Sequence, residues 1–100
     1  MGLFSGDWEI DVDFIGGSVR HGAHLKQIGS VVSGRYRSQY GEHEVGGRAD
    51  GGDIDMSLDI QFQGVGATYR FTGRARGEDR IEGEVDLGEY WKARWSGRRV

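Results

Sequence analysis

The stretch Asp7-Trp8-Glu9-Ile10-Asp11-Val12-Asp13-Phe14 decides the fold class of this chain. Apolar residues at the even positions alternate with acidic residues at the odd positions. A β-strand places such residues on opposite faces, whereas a helix would scatter them around its circumference. The stretch therefore predicts a half-buried strand, with one apolar inner face and one wholly acidic outer face.

The same alternation recurs between glycine-rich breaks along the rest of the chain and predicts further antiparallel strands. Gly16-Gly17 and Asp50-Gly51-Gly52 are predicted to form turns, and Gly46-Gly47 is predicted to form a bulge in the fourth strand. No segment has convincing helical periodicity. The predicted strands cover residues 7–14, 18–27, 31–40, 43–49, 54–62, 67–75, 81–87 and 91–97.

Outward charges predict that these strands close into a barrel. The basic outward residues are Arg20, His24 and Lys26 on the second strand, and Lys92, Arg94 and Arg98 on the last strand. Both sets complement the acidic face of the first strand, which the last strand can contact only if the sheet closes. Arg70 and Arg74 on the sixth strand similarly complement Glu82, Glu84 and Asp86 on the seventh. We therefore predict an all-β fold, a single antiparallel up-and-down eight-stranded β-barrel, over residues 1–100.

The composition excludes several classes of function. The chain has 100 residues with 19 Gly, no Pro and no Cys, which excludes disulfides, cysteine metal sites and cysteine nucleophiles. Its net charge of −3 argues against nucleic-acid binding driven by bulk charge. No apolar run approaches the roughly 18 residues of a membrane span. We expect a soluble, cytoplasmic protein with no membrane or nucleic-acid partner, and formation of a homo-oligomer stays open.

Two motifs at the ends of the chain resemble the calycin pattern of lipocalins, fatty-acid-binding proteins and avidins. Gly6-Asp7-Trp8 lies on the first strand and Arg98 lies at the end of the last strand. In those families a G-x-W motif opens the barrel and a late basic residue packs across the tryptophan. The resemblance implies a calycin-like barrel with an internal ligand pocket. The chain lacks the length and the C-terminal helix of lipocalins.

A second resemblance extends over most of the chain. Residues 6–8, 21–34, 69–73, 85–90 and 93–95 look like a small bacterial β-domain found at the C-terminus of some larger enzymes. Those enzymes include pyridoxal-phosphate-dependent enzymes and amidohydrolases. The resemblance implies a compact β fold but not the chemistry of those enzymes, because their catalytic domains are absent from this sequence.

Inward positions mix small and bulky residues, so the interior is predicted either as a filled core or as a pocket open at one end. The small inward residues are Gly34, Gly47, Ala67, Gly73, Ala75, Gly83, Ala93 and Gly97. They favour a pocket that takes a small, mainly apolar or aromatic molecule. The candidate ligand-binding residues are Trp8, Tyr36, Tyr40, Met56, Tyr69, Phe71, Trp91 and Trp95.

The candidate catalytic residues are His21, Tyr36 and Glu89. His21 has inward parity between apolar neighbours and titrates near neutral pH. Glu89 precedes two aromatic residues, which could desolvate its carboxyl group. The first hypothesis is ligand binding, and the second is a cofactor-independent isomerase, cyclase or lyase. A third is a structural or interaction module associated with a larger enzyme. No cofactor is expected, because Gly64-Val65-Gly66 precedes a strand and not the helix of a dinucleotide site, and no metal is expected, because His21 and His24 have opposite parity on one strand.

Overall fold

The chain forms one closed antiparallel barrel, seen in a computed structural model that describes residues 2–62, 65–88 and 92–100. The strands are β1 (Gly6–Phe14), β2 (Gly17–Ile28), β3 (Val31–Ser38), β4 (Gly41–Asp50), β5 (Asp53–Phe62), β6 (Val65–Ala75), β7 (Arg80–Asp86) and β8 (Lys92–Arg99). Each strand pairs with its neighbours in sequence, and β1 also pairs with β8. The predicted all-β, eight-stranded barrel is confirmed. The predicted third strand runs too far, because Tyr40 lies in the turn that follows Ser38.

Contacts between β1 and β8 confirm the closure that the outward charges predict. Glu9 and Arg98 are opposite each other in the register, and Arg98 Nη2 lies 2.6 Å from Glu9 Oε1. On the other side of β1, Arg20 Nε lies 2.9 Å from Asp11 Oδ1. The acidic outer face of β1 therefore lies between basic outward residues of β2 and β8, and these opposite charges stabilise the pairing of the three strands.

Arg70, one of the two outward arginines of β6, makes its ion pair with a residue of β5. Arg70 is opposite Asp86 of β7 in the register, but its guanidinium hydrogen-bonds the Asp55 carboxylate of β5 at 2.7 and 3.1 Å. This hydrogen bond lowers the pKa of Asp55. The basic residues of β6 do lie opposite acidic residues of β7, as predicted from their charges. The bidentate hydrogen bond of Arg70, however, is made with Asp55 of β5.

The predicted bulge at Gly46-Gly47 is wrong. Both glycines lie in a continuous ladder, in which Gly47 is opposite Val32 on one side and Met56 on the other. A Cβ atom at Gly47 would lie only 1.9 Å from the Asp55 carbonyl oxygen, and one at Gly83 would lie 1.8 Å from the Thr72 carbonyl oxygen. These inward glycines permit close approach of neighbouring backbones. At these two positions, backbone therefore fills the space that small residues were expected to leave for a ligand.

Trp95 fills much of the interior between the strands. Its ring meets Phe71 edge to face, with centroids 5.3 Å apart, and its Nε1 donates to the Thr72 carbonyl oxygen at 3.0 Å. Gly73 and Gly97 lie under this ring, where a Cβ atom would be 2.7 Å and 3.4 Å from its carbon atoms. Large aromatic residues opposite small ones therefore make this part of the interior a filled core.

Residues 2–5 cover one end of the barrel, called the closed end below. Phe4 is fully buried there, and its carbonyl oxygen accepts a hydrogen bond from Trp8 Nε1 at 2.9 Å. The guanidinium of Arg99 stacks on the Trp8 ring at 4.3 Å and donates to the carbonyl oxygens of Leu3 and Ser5. The basic residue that packs across the tryptophan is thus Arg99. Arg98 was the wrong choice because its parity places it on the outer face, opposite Glu9.

Candidate functional site

A cavity of about 100 Å³ lies at the opposite end of the barrel, near the end of β1 and the turn between β3 and β4. It is called the open-end cavity below. Most of its wall is apolar, and its polar groups come mainly from β2, β3 and the turn after β3. The lining residues are Val12, Phe14, Val19, His21, Tyr36, Ser38, Gln39, Tyr40, Ile60, Tyr69, Phe71 and Leu87.

His21 and Tyr36 form a hydrogen-bonded pair in this cavity, called the His21–Tyr36 pair below. Alternation along β2 and β3 turns both side chains inward, and His21 Nδ1 lies 2.6 Å from the Tyr36 hydroxyl oxygen. His21 Nε2 lies 2.8 Å from Oε1 of Gln39. Because this amide oxygen can only accept, Nε2 carries the proton of the neutral ring. Nδ1 therefore accepts a hydrogen bond from the Tyr36 hydroxyl.

Burial keeps the His21–Tyr36 pair uncharged at neutral pH. Desolvation lowers the pKa of His21, the hydrogen bond to Gln39 raises it, and the charge of His43 lowers it further. Tyr36 is fully buried, and this burial raises the pKa of its hydroxyl far above the usual range, with a smaller contribution from Tyr69. Among the described residues, the lining contains no Asp, Glu, Lys or Arg. The site therefore presents neutral hydrogen-bonding groups in an apolar wall.

A second polar contact holds the turn at the edge of this cavity. The Ser38 hydroxyl lies 3.0 Å from Nε2 of His43 and accepts a hydrogen bond from the backbone N–H of Tyr40 at 3.1 Å. This contact fixes the backbone that carries Gln39. The role of Gln39 could not be predicted from the sequence, because strand alternation does not specify where a side chain in a two-residue turn points. Its position directly after the inward residues of β3 was the available signal.

The structure brings together five of the predicted site residues and separates others from them. His21, Tyr36, Tyr40, Tyr69 and Phe71 all line the open-end cavity. Three further candidates are buried in the core and do not line it, namely Trp8, Met56 and Trp95. Two candidates, Glu89 and Trp91, lie outside the described residues.

Three larger depressions lie on the described surface, of about 360 and 570 Å³ along β4 and β5, the first also bordered by β6, and of about 180 Å³ across β6, β7 and β8. All have charged residues in their linings, such as Arg48 and Asp53 in the first and Glu42 and Asp59 in the second, and all but one of the residues that line the third are charged. These depressions are open, so they lack the enclosure that is typical of small-molecule sites. The open-end cavity is therefore the better candidate site.

Within residues 2–62, 65–88 and 92–100, no group of three or more His, Asp or Glu side chains is arranged to hold a metal ion. In the same part of the chain, no helix has the length and apolar character needed to cross a membrane. Searches against protein-family models and against curated proteins give no match to this chain.

Proposed function

We propose that this barrel binds a small, mainly apolar or aromatic molecule in the open-end cavity, with the His21–Tyr36 pair as its polar anchor. The observation that carries the proposal is a half-buried histidine hydrogen-bonded to a buried tyrosine in the mainly apolar lining of a cavity at the end of the barrel opposite residues 2–5. Ligand sites typically combine an apolar lining with a few placed polar groups. The filled core beneath Phe71 restricts binding to the open end.

The volume of the cavity limits the size of the bound group. A dry cavity of about 150 Å³ accommodates benzene, and sites for drug-sized molecules enclose about 300–1,000 Å³. At about 100 Å³, the open-end cavity fits a small single ring or a short branched alkyl group. A larger ligand would place only its terminal group inside. The remainder would extend past Phe14 and Tyr40, which are 38% and 45% exposed.

A titration with neutral single-ring compounds tests this proposal. Cyclopentanol, phenol and thiophene are added to the protein while the side-chain ¹⁵N shifts of His21 are followed. A compound of about six heavy atoms is expected to bind with a dissociation constant on the order of 1 mM. The Val19→Phe variant fills the cavity and should abolish the shifts. Val31→Phe serves as the matched control because Val31 is 55% exposed on the outer face.

The outcome separates binding in the cavity from binding elsewhere. Shift changes that persist in Val19→Phe, or that disappear in Val31→Phe, would contradict a site in the open-end cavity. Failure of every compound to shift His21 in the natural sequence would overturn the binding function.

The short contact between His21 and Tyr36 favours a second candidate function, proton transfer by a cofactor-independent isomerase, cyclase or lyase. In its other neutral tautomer, His21 donates from Nδ1 to the Tyr36 oxygen, and Nε2 presents its lone pair to a substrate once the Gln39 side chain has left it. Such an imidazole acts as a general base, and Tyr36 acts as a positioning residue. Association with a larger enzyme stays a prediction from the sequence.

Exchange of α-protons of a cyclic ketone in D₂O distinguishes catalysis from binding. If His21 is the base, His21→Gln should slow exchange by at least about 100-fold while ketone binding persists. Tyr36→Phe should change the pH profile of exchange, because it removes the hydroxyl oxygen that accepts from Nδ1–H when His21 acts as the base. Exchange at the same rate in His21→Gln would remove this residue from the mechanism and leave binding alone.

A further inference from the structure

We propose that the Gln39 side chain occupies the polar subsite of the open-end cavity, and that the ligand is a neutral compound whose carbonyl-type oxygen displaces it from His21. This inference rests on the proposed binding function and specifies the class of ligand. Gln39 Oε1 accepts from His21 Nε2 at 2.8 Å. That atom is itself a carbonyl oxygen, so the contact shows the acceptor geometry that a ligand would adopt.

The location of Gln39 makes this contact displaceable. Gln39 is an exposed residue in the two-residue turn between Ser38 and Gly41, which are paired in the β3–β4 register. The turn itself is held by the Ser38 hydroxyl and the backbone of Tyr40, and not by the amide of Gln39. The side chain can therefore leave His21 while the turn keeps its conformation.

The hydrogen-bonding state of His21 selects an acceptor on the ligand. Nδ1 is occupied by Tyr36, so Nε2–H is the donor that becomes available when Gln39 leaves. An apolar ring without an oxygen would displace Gln39 and leave this half-buried donor without a partner, which costs free energy. A ring bearing a carbonyl oxygen replaces the lost hydrogen bond and also fills the apolar part of the cavity.

The charge of the lining selects a neutral ligand. Its described residues carry no formal charge apart from what His21 acquires when protonated, and burial opposes that protonation. A carboxylate or an ammonium group would lose hydration in the cavity without gaining a counter-charge. The groups facing His21 are the Tyr36 hydroxyl, the Gln39 amide and the imidazole of His43. The charge of His43 opposes protonation of His21.

The test compares cyclopentanone with ring compounds of similar size, by NMR titration of the full chain at pH 7.5. Cyclopentene lacks the oxygen, and pyrrolidine is a cation at this pH. We expect cyclopentanone to bind the natural sequence best. Gln39→Ala removes the internal competitor and should tighten cyclopentanone binding about fivefold, as expected for one net hydrogen bond. Gln39→Glu should weaken binding, because its carboxylate would pair with His21.

A control and an independent readout accompany these variants. Ser33→Ala lies on the outer face of β3, opposite Gly46, and should leave the affinity unchanged. The pKa of His21, followed by its ¹⁵N shifts without ligand, should fall in Gln39→Ala, because the bond to Gln39 raises it. A merely structural role of Gln39 in the turn would not produce this combination of lower pKa and tighter binding.

The possible failures are distinguishable. Equal affinity of cyclopentanone for the natural sequence and for Gln39→Ala would overturn the role of Gln39 while the binding function stands. Equal binding of pyrrolidine or cyclopentene would overturn the choice of a neutral carbonyl ligand. If no ring compound binds any variant, the proposed function fails, and this inference fails with it.

Discussion

The two ends of this barrel satisfy their inward polar groups in different ways. At the closed end, Trp8 donates to the backbone of residues 2–5, and Arg99 covers its ring and donates to the same segment. At the open end, the His21–Tyr36 pair is completed by the exposed side chain of Gln39. Backbone partners are fixed by the fold, whereas an exposed side chain can be replaced. The comparison indicates that the closed end stabilises the barrel and that the open end is available for a ligand.

Truncation of Trp8 should therefore lower the free energy of unfolding far more than truncation of an aromatic residue at the open end. Trp8→Ala removes a buried ring, leaves a void beside Phe4 and deprives Arg99 of its stacking surface, which we expect to lower the free energy of unfolding by about 3–5 kcal/mol. Phe14→Ala, at a position already 38% exposed, should cost less than about 1 kcal/mol. Urea unfolding of both variants measures the difference. Equal losses would contradict the division between the two ends.

The inward glycines offer a smaller test of how tightly the wall is packed away from the open-end cavity. At Gly47 an added Cβ would meet the Asp55 carbonyl oxygen at 1.9 Å, whereas at the neighbouring Gly46 the nearest atom is 3.9 Å away. Gly47→Ala should destabilise the protein by about 1–3 kcal/mol through overpacking. Gly46→Ala should stay within about 0.5 kcal/mol of the natural sequence. Thermal and urea unfolding measure both, and a neutral Gly47→Ala would show that the strands can separate locally.

The fold could be predicted from the sequence because strand parity and outward charge depend on local alternation. The contact of β1 with β8 followed from the acidic face of residues 7–13 and the basic residues of the last strand. The role of the inward glycines could not be predicted in this way. Whether Gly47 faces empty space or a neighbouring backbone depends on how closely the strands approach when the barrel coils, and composition does not encode this distance.

Part of the candidate site could likewise be predicted from the sequence. Parity placed His21 and Tyr36 on the inner face, and the pairing of β2 with β3 brings them together. It did not separate Trp8 and Met56 from the cavity, because alternation gives the face of a residue but not its height along the barrel axis. Gln39 could not be predicted as a site residue, because the turn after β3 interrupts the alternation of inward and outward side chains. Arg99 was missed because the resemblance pointed to its neighbour, although parity favours Arg99.

The smallest effect concerns the pH dependence of stability at the open end. The pKa of His21 is lowered on folding, with desolvation as the main cause, so the unfolded chain binds a proton more readily than the folded barrel. The contribution of His21 is therefore fully present above its unfolded-state pKa of about 6.5 and is lost as the pH falls toward the folded-state value. Because the imidazole is half-exposed, we expect this loss to stay below about 1 kcal/mol. Urea unfolding of the natural sequence and of His21→Gln from pH 7.5 to pH 5 isolates it, since the natural sequence should lose more stability than the variant. If the variant instead loses more stability than the natural sequence, the open end stabilises the imidazolium, and the neutral character inferred for the site is wrong.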